Sequence, residues 1–366
     1  MAARPRRRAG PRGGGKGVTG GIGVIGGGAW GCALAQIAAG GPVRLWARDA
    51  ATVATIRATG SAPRLPGIAL SPRIVATADL NDLDDCDLLL VVVPAAATAS
   101  ILAGLANQRP RPLILCAKGF GPGGEALADV AAAALPGWSV ALLSGPTFAT
   151  EVAAGLPAAA TLACADGALA EALAARLSGR AFRLYATTDV IGVGLGGAVK
   201  NVLAIACGVV AGRGLGDNAR AATVTRGFAE MRRYGRALGA AEATLGGLSG
   251  LGDLVLTCGG PASRNFAFGA ALGAGVSRPT TAFVIPANAG THLRMHQVMG
   301  PRVRGDDTVD VTVEGALAAP ILAAAAAARD IDLPIATAVA DLIAGRVTVD
   351  AAIERLLARP LRSEQA

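Results

Sequence analysis

From residue 21 onward, short apolar runs alternate with longer Ala- and Leu-rich stretches. Runs at 21–25, 43–47, 88–93, 112–116, 139–143 and 158–163 have the length of buried strands, and the stretches at 29–39, 97–106, 123–134 and 167–178 that separate them have the length of helices. Strands this uniformly apolar are covered on both faces. Their alternation with helices predicts a doubly wound, mostly parallel sheet. After about Thr188 the strand pattern stops, and segments at 193–212, 219–238, 316–329, 335–344 and 349–358 predict an all-helical second domain. The expected division is an α/β domain over 18–187 and an all-α domain over 188–366.

Three stretches depart from this pattern. Residues 1–17 are rich in Arg, Pro and Gly and read as a disordered basic tail; a targeting peptide would need an apolar core and a cleavage site, and a Gly-rich strand and turn follow instead. Residues 279–310 have no helical period and hold both histidines, His292 and His296, which predicts an inserted, exposed loop. Residues 88–108 carry no charge, yet Pro94 interrupts them, so they read as a strand, a turn and a helix and no transmembrane segment is expected.

Composition sharpens the picture. Aromatics are 3% of the 366 residues, so Ala, Val and Leu must fill the core through close packing. Of the net charge of +8, residues 1–17 carry +6 and residues 278–308 carry +2, which leaves a neutral remainder with no need of a nucleic-acid partner. With both histidines in the insertion, a His-based triad or metal site in the body is excluded, and no metal is expected. The six cysteines are scattered without a CxxC and read as buried, reduced thiols of a cytoplasmic protein. Of 34 basic residues only Lys16, Lys118 and Lys200 are lysines. A chain that otherwise uses Arg for positive charge keeps lysine where a proton must be released.

Gly26, Gly28 and Gly31 form GxGxxG between the first strand and first helix, the context in which this motif seats a dinucleotide pyrophosphate on a helix N-terminus. The first domain is therefore expected to be Rossmann-type, with NAD or NADP as cofactor. Arg48 and Asp49 end the second strand; the acid suits a ribose hydroxyl and the Arg a 2′-phosphate, so the preference stays open. Lys118 follows the strand at 112–116, at the ligand-binding edge of such a sheet, and Lys200 sits in an apolar helix. Asp253, and the group Ser263, Arg264 and Asn265, would by themselves be helix caps and polar loop. Beside two lysines and a dinucleotide fold, they supply a proton donor, an orienting acid and a phosphate clamp for reduction of a small phosphorylated ketone.

The strings GGGAWGCALA, LLSGPTFATEVAAGLP, GGAVKNVLAIACGV, NARAATVTRGFAEM, GLGDLVLTC and SRNFAFG occur in this order. Over 20–278 and 311–363 the chain thereby resembles the bacterial NAD(P)-dependent glycerol-3-phosphate dehydrogenases. The resemblance implies a cytoplasmic homodimer, assembled through a helical substrate domain. It would interconvert dihydroxyacetone phosphate and sn-glycerol 3-phosphate for glycerophospholipid synthesis. It assigns cofactor contacts to Trp30, Arg48, Lys118, Ala149, Arg264, Val313 and Glu314, beside the glycine loop. Substrate contacts fall to Lys118, Gly145, Thr147, Lys200, Asp253, Ser263, Arg264 and Asn265, with Lys200 as proton donor and acceptor and Asp253 beside it in the catalytic pair. The tail is not a feature of that family, and the insertion ends just before Glu314. Other readings are a related two-domain hydroxyacid dehydrogenase, a nucleotide-binding protein weakened by the insertion, or, as a poor third, a nucleic-acid binder acting through the Arg tail.

Overall fold

A computed structural model describes residues 20–276, 293–294, 310–311 and 313–360. Among the described residues ten strands precede residue 188: β1 (Ile22–Ile25), β2 (Val43–Trp46), β3 (Ser61–Ala62), β4 (Leu65–Ala69), β5 (Ile74–Thr77), β6 (Leu88–Val91), β7 (Leu113–Leu115), β8 (Val140–Ser144), β9 (Ala158–Cys164) and β10 (Phe182–Thr187). Eight of them form one sheet in the order β10-β9-β8-β7-β6-β1-β2-β5, and β3 and β4 make a separate hairpin. All neighbours in the large sheet are parallel except β8 and β9. Chain order reverses between β1 and β6, and the crevice at such a switch point is where ligands of open α/β sheets bind.

Helices α1 (Ala29–Ala38), α2 (Ala50–Thr59), α3 (Ala95–Leu105), α4 (Leu127–Ala134), α5 (Ala149–Ala153) and α6 (Gly167–Leu177) connect the strands. β1 and β6 are buried along their whole length between two apolar clusters, one on each face of the sheet. The apolar runs thus carry no alternation because neither face meets water. All six cysteines are free and buried, as small apolar residues would be.

The helical region holds α7 (Val190–Gly212), α8 (Gly216–Ala237), α9 (Glu242–Leu245), α10 (Asp253–Cys258), α11 (Arg264–Gly273), α12 (Glu314–Ala327), α13 (Pro334–Ala344) and α14 (Val349–Leu357). α7 is its axis, packed by α8, α10, α11 and α12. By length and apolarity α7 alone among the described helices could cross a membrane, but 83% of its most apolar window is buried inside the fold.

Several elements depart from the sequence reading. β5 and β10 form the two edges of the sheet, and α2, α10 and α11 are additional helices. The helix expected from 123 begins at Leu127, because Gly121, Pro122, Gly123 and Gly124 form a turn instead. The basic tail lies outside the described residues. Of the insertion only Leu293, Arg294 and Asp310 are described: β11 (Leu293–Arg294) pairs antiparallel with β12 (Asp310–Val311), which runs one residue past its end.

Candidate active site

The first part of the site is the turn from β1 into α1. Gly26 has φ +134°, and a Cβ there would lie 2.2 Å from the Val92 carbonyl oxygen. A Cβ on Gly31 would lie 1.8 Å from the Gly26 carbonyl oxygen, so helix and strand meet only because both positions are glycine. Gly28 differs, with nothing within 4 Å of its missing Cβ. It is the N-cap of α1 and supplies no side-chain cap, which leaves the first-turn N–H groups available to an anion. This open cradle fits a dinucleotide pyrophosphate. Trp30 lies in the first turn of α1, and Ala149 opens α5, which packs against α1.

Arg48 is exposed at the end of β2, where it could reach a cofactor. Asp49 also has a structural task. Its carboxylate caps α2, accepting from Ala51 N at 3.1 Å, Thr52 N at 3.0 Å and the Thr52 hydroxyl at 2.7 Å. These bonds, the Thr52 hydroxyl first, hold its pKa below the ordinary range.

The second part joins the two lysines through one carboxylate. Lys118, in the turn after β7, runs past Gly197 of α7, where a Cβ would lie 3.3 Å from Lys118 Cγ. Its Nζ donates to Asp253 Oδ2 at 2.6 Å and to the Gly145 carbonyl at 2.9 Å. Lys200 Nζ, from the middle of α7, donates to Asp253 Oδ1 at 2.9 Å and to Thr257 Oγ1 at 2.8 Å. Asp253 leads α10, directly after a single π turn over Leu248–Gly252, an irregularity that recurs at functional sites. The side-chain exposures of Lys118, Lys200 and Asp253 are 14%, 8% and 2%.

Electrostatics follow from this geometry. Burial pushes the Lys200 ammonium down to about 8, although Asp253 pulls the other way. Burial raises Asp253, and the Lys118 and Lys200 ammoniums overcome it, so its carboxyl sits below its ordinary value. Two ammoniums and one carboxylate leave a buried excess positive charge, which can be relieved by an anion or by release of one proton.

The third part is a chain of amides. Asn201 Nδ2 donates to the Lys118 carbonyl and to Glu314 Oε2, both at 3.3 Å. Asn265 Nδ2 donates to Asn201 Oδ1 at 2.9 Å, and Asn265 Oδ1 accepts from Gly315 N at 2.9 Å. The turn of Lys118, α7, α11 and the start of α12 are thereby tied together. Burial raises the Glu314 carboxyl above its usual value, against the opposing charges of Arg264, Lys200 and Lys118. Ser263 caps α11 by accepting from Phe266 N at 3.3 Å, and Arg264 is exposed beside it. Thr147 donates to the Gly145 carbonyl at 3.2 Å, and Val313 is buried immediately before Glu314.

Lys118, Lys200, Asp253, Gly145 and Thr147 are thus drawn together through hydrogen bonds, with Asn265 and Glu314 joined by way of Asn201. Gly26, Gly28 and Gly31 lie in the separate turn from β1 into α1, with Trp30 and Ala149 beside it, and Arg48 lies apart at the end of β2. Asn201 and Thr257 received no role from the sequence. The signals for them were present, since Asn201 adjoins Lys200 and Thr257 stands one helical turn beyond Asp253.

A doubly wound sheet with a glycine cradle at its switch point, joined by a buried Lys–Asp–Lys cluster to a helical region, defines a dinucleotide-dependent dehydrogenase. Residues 21–170 match the family model for the NAD-dependent glycerol-3-phosphate dehydrogenase N-terminus, and residues 189–354 that for its C-terminus. The chain belongs to the NAD-dependent glycerol-3-phosphate dehydrogenase family. It is 51% identical over 350 residues to the glycerol-3-phosphate dehydrogenase [NAD(P)+] of Methylobacterium radiotolerans, covering 94% of this chain and 98% of that protein. A protein of the same description from Sphingopyxis alaskensis is 51% identical over 347 residues, again covering 94% and 98%. Among solved structures, glycerol-3-phosphate dehydrogenase from Coxiella burnetii superposes with a TM-score of 0.81 at 34% identity, covering 93% of this chain and all of that one.

Proposed function

We infer that this chain catalyses the reversible NAD(P)H-dependent reduction of dihydroxyacetone phosphate to sn-glycerol 3-phosphate, feeding glycerophospholipid synthesis, with Lys200 as proton donor and acceptor. The observation that carries the reading is the buried ammonium of Lys200, held by Asp253 and Thr257 with its pKa brought to about 8. Two of its three N–H bonds are spent on these partners, so one remains for the carbonyl oxygen. NAD(P)H, when bound, would supply a hydride to the carbonyl carbon, and charge would develop on the carbonyl oxygen. Lys200 stabilises that charge and then gives up its proton. The loss is tolerated because Asp253 keeps Lys118 as a partner at 2.6 Å. The Lys–Asp–Lys cluster passes from one excess positive charge to none, with no carboxylate stranded.

Arg264, the remaining Asn265 N–H and Lys118 serve the substrate phosphate, with Ser263 shaping the α11 N-terminus and Gly145 and Thr147 lining the adjoining turn. The cofactor pyrophosphate would be held on the α1 cradle of Gly26, Gly28 and Gly31, beside Trp30 and Ala149. Arg48 would serve its adenosine end, and Val313, Glu314 and Arg264 would meet it from the helical side. The substrate is a small phosphorylated triose. The enzyme acts as a cytoplasmic homodimer, and light scattering of the purified chain tests the assembly.

The pH dependence is a direct consequence. Reduction needs Lys200 charged and oxidation needs it neutral. Reduction of dihydroxyacetone phosphate should therefore fall as pH rises through about 8, while glycerol 3-phosphate oxidation rises over the same range. Initial rates in both directions from pH 6 to 10 check this, and two profiles moving in the same direction would remove Lys200 from the role.

Arg264→Ala should raise the KM for dihydroxyacetone phosphate while sparing unphosphorylated dihydroxyacetone. A charge-assisted phosphate bond is worth about 1.5–3 kcal/mol, or roughly tenfold to over a hundredfold in binding. Equal losses on the two substrates would mean that Arg264 is structural or serves the cofactor alone.

A further inference from the structure

Helices α7 and α11 approach far more closely than side chains allow. A Cβ on Gly208 would lie 2.1 Å from the Phe266 carbonyl oxygen, and one on Gly212 would lie 2.0 Å from that of Ala270. From the opposite side, a Cβ on Gly269 would lie 2.0 Å from the Ile205 carbonyl oxygen and one on Gly273 2.3 Å from that of Val209. Each helix therefore carries a Gly-x-x-x-Gly pair pressed against its neighbour's backbone. Ile205 faces Gly269 and Val209 faces Gly273, so the helices run parallel. One turn earlier in the same register, Asn201 meets Asn265 through the 2.9 Å hydrogen bond. The glycine seam thus leads directly into the amide chain, one residue from Lys200 on α7 and from Arg264 on α11.

We propose that Gly208 and Gly269 are positioning residues for substrate phosphate recognition: their lack of a side chain sets the distance between the α11 N-terminus and the helix that carries Lys200. The proposal rests on the assignment of Arg264 and Asn265 to the phosphate. Non-bonded heavy atoms settle at about 3.5–4.0 Å, so a methyl group placed 2.0 Å from a carbonyl oxygen forces the helices apart by more than about 1 Å. The obstacle is backbone on both sides, which no rotamer change relieves. Lys200, Asp253 and Thr257 lie on α7 and α10, so the displacement moves the phosphate anchor and leaves the proton donor in place.

The test compares alanine at the near end of the seam, Gly208→Ala and Gly269→Ala, with alanine at its far end, Gly273→Ala. Sucrose is present throughout, because an excluded osmolyte keeps weakened variants folded. The full chain is assayed with dihydroxyacetone phosphate and with dihydroxyacetone, and unfolding midpoints are measured alongside. A misplacement of about 1 Å can cost up to about a hundredfold, so the near-end variants should raise the KM for the phosphorylated substrate at least about tenfold. They should leave kcat/KM for dihydroxyacetone within about threefold. Gly273→Ala should lower the unfolding midpoint by a similar amount yet keep the KM for the phosphorylated substrate within about threefold of the parent. Equal kinetic losses at both ends, an unchanged KM at the near end, or failure of both near-end variants to fold in sucrose would each overturn the proposal and leave the seam a folding element. Arg264→Ala in the same assay separates the two layers. If it leaves discrimination between the substrates unchanged, the phosphate assignment itself fails; if only the glycine variants do so, the seam proposal alone fails.

Discussion

Lys200→Arg should fold, bind NADH and lose more than about a hundredfold in kcat, the lower bound of what a positioned acid or base contributes. Arginine keeps the positive charge next to Asp253 and therefore preserves the cluster's electrostatics. It does not preserve the chemistry, because guanidinium holds its proton at any pH the fold survives. At Lys200, burial outweighs the opposing pull of Asp253 and brings the ammonium down to about 8, close enough to neutrality for the proton to leave and return within a turnover. The measurement is kcat with saturating dihydroxyacetone phosphate, with NADH binding followed by fluorescence as the folding control. Retention of more than about a tenth of the parent kcat would mean that charge suffices and that the proton comes from elsewhere.

Lys200 was legible in the sequence for an indirect reason. Arg has replaced Lys nearly everywhere, so the survivors at 118 and 200 stood out before any contact was known. The glycine cradle was legible because its spacing and its place between a strand and a helix are both local properties. β1 and β6 were legible as continuous apolar runs, buried on both faces at the centre of the sheet. β5 and β10 escaped for the complementary reason. As edge strands they carry exposed residues such as Val75 and Tyr185, so their apolar signal is diluted. α11 was hidden because it packs through Gly269 and Gly273, residues with poor helix propensity that score as loop until the close approach to α7 is known.

The site divided along the same line. Residue types with rare chemistry, Lys118, Lys200 and Asp253, could be nominated singly. Their joint geometry could not, because it depends on contacts spanning 53 and 135 residues of chain. Asp49 shows how partners extend the reading of an acid. Its place at the end of β2 suits a ribose hydroxyl, and the structure adds that its carboxylate also caps α2. Thr257 shows the converse, an unremarked hydroxyl that becomes part of the proton-bearing cluster only because α10 directs it at Lys200.

Asp253→Asn should be the most damaging isosteric change in the protein, to stability and activity together. The amide keeps the shape but offers one acceptor oxygen where two ammoniums now converge, so at least one of Lys118 and Lys200 loses its partner inside the fold. Removing one member of a buried charge pair typically costs about 3–5 kcal/mol, because the remaining charge stays desolvated. The variant can escape by shedding a proton. Asp253 is the main influence holding the Lys200 pKa up against burial and Lys118, so its loss drives that pKa further below the parent's value of about 8. A lysine whose folded pKa lies below its unfolded one makes the unfolded state bind more protons between the two values, and stability there rises with pH. In the variant this window opens at lower pH than in the parent. The deficit in unfolding midpoint should therefore be largest near pH 6.5 and shrink toward pH 9. Reduction of dihydroxyacetone phosphate at pH 7 should fall more than about tenfold, since the donor is less often loaded and no longer held by Asp253. Chemical denaturation at the two pH values checks the first expectation and initial rates the second. A deficit independent of pH, or activity within about tenfold of the parent, would mean that Asp253 neither balances the lysines nor holds the proton on Lys200.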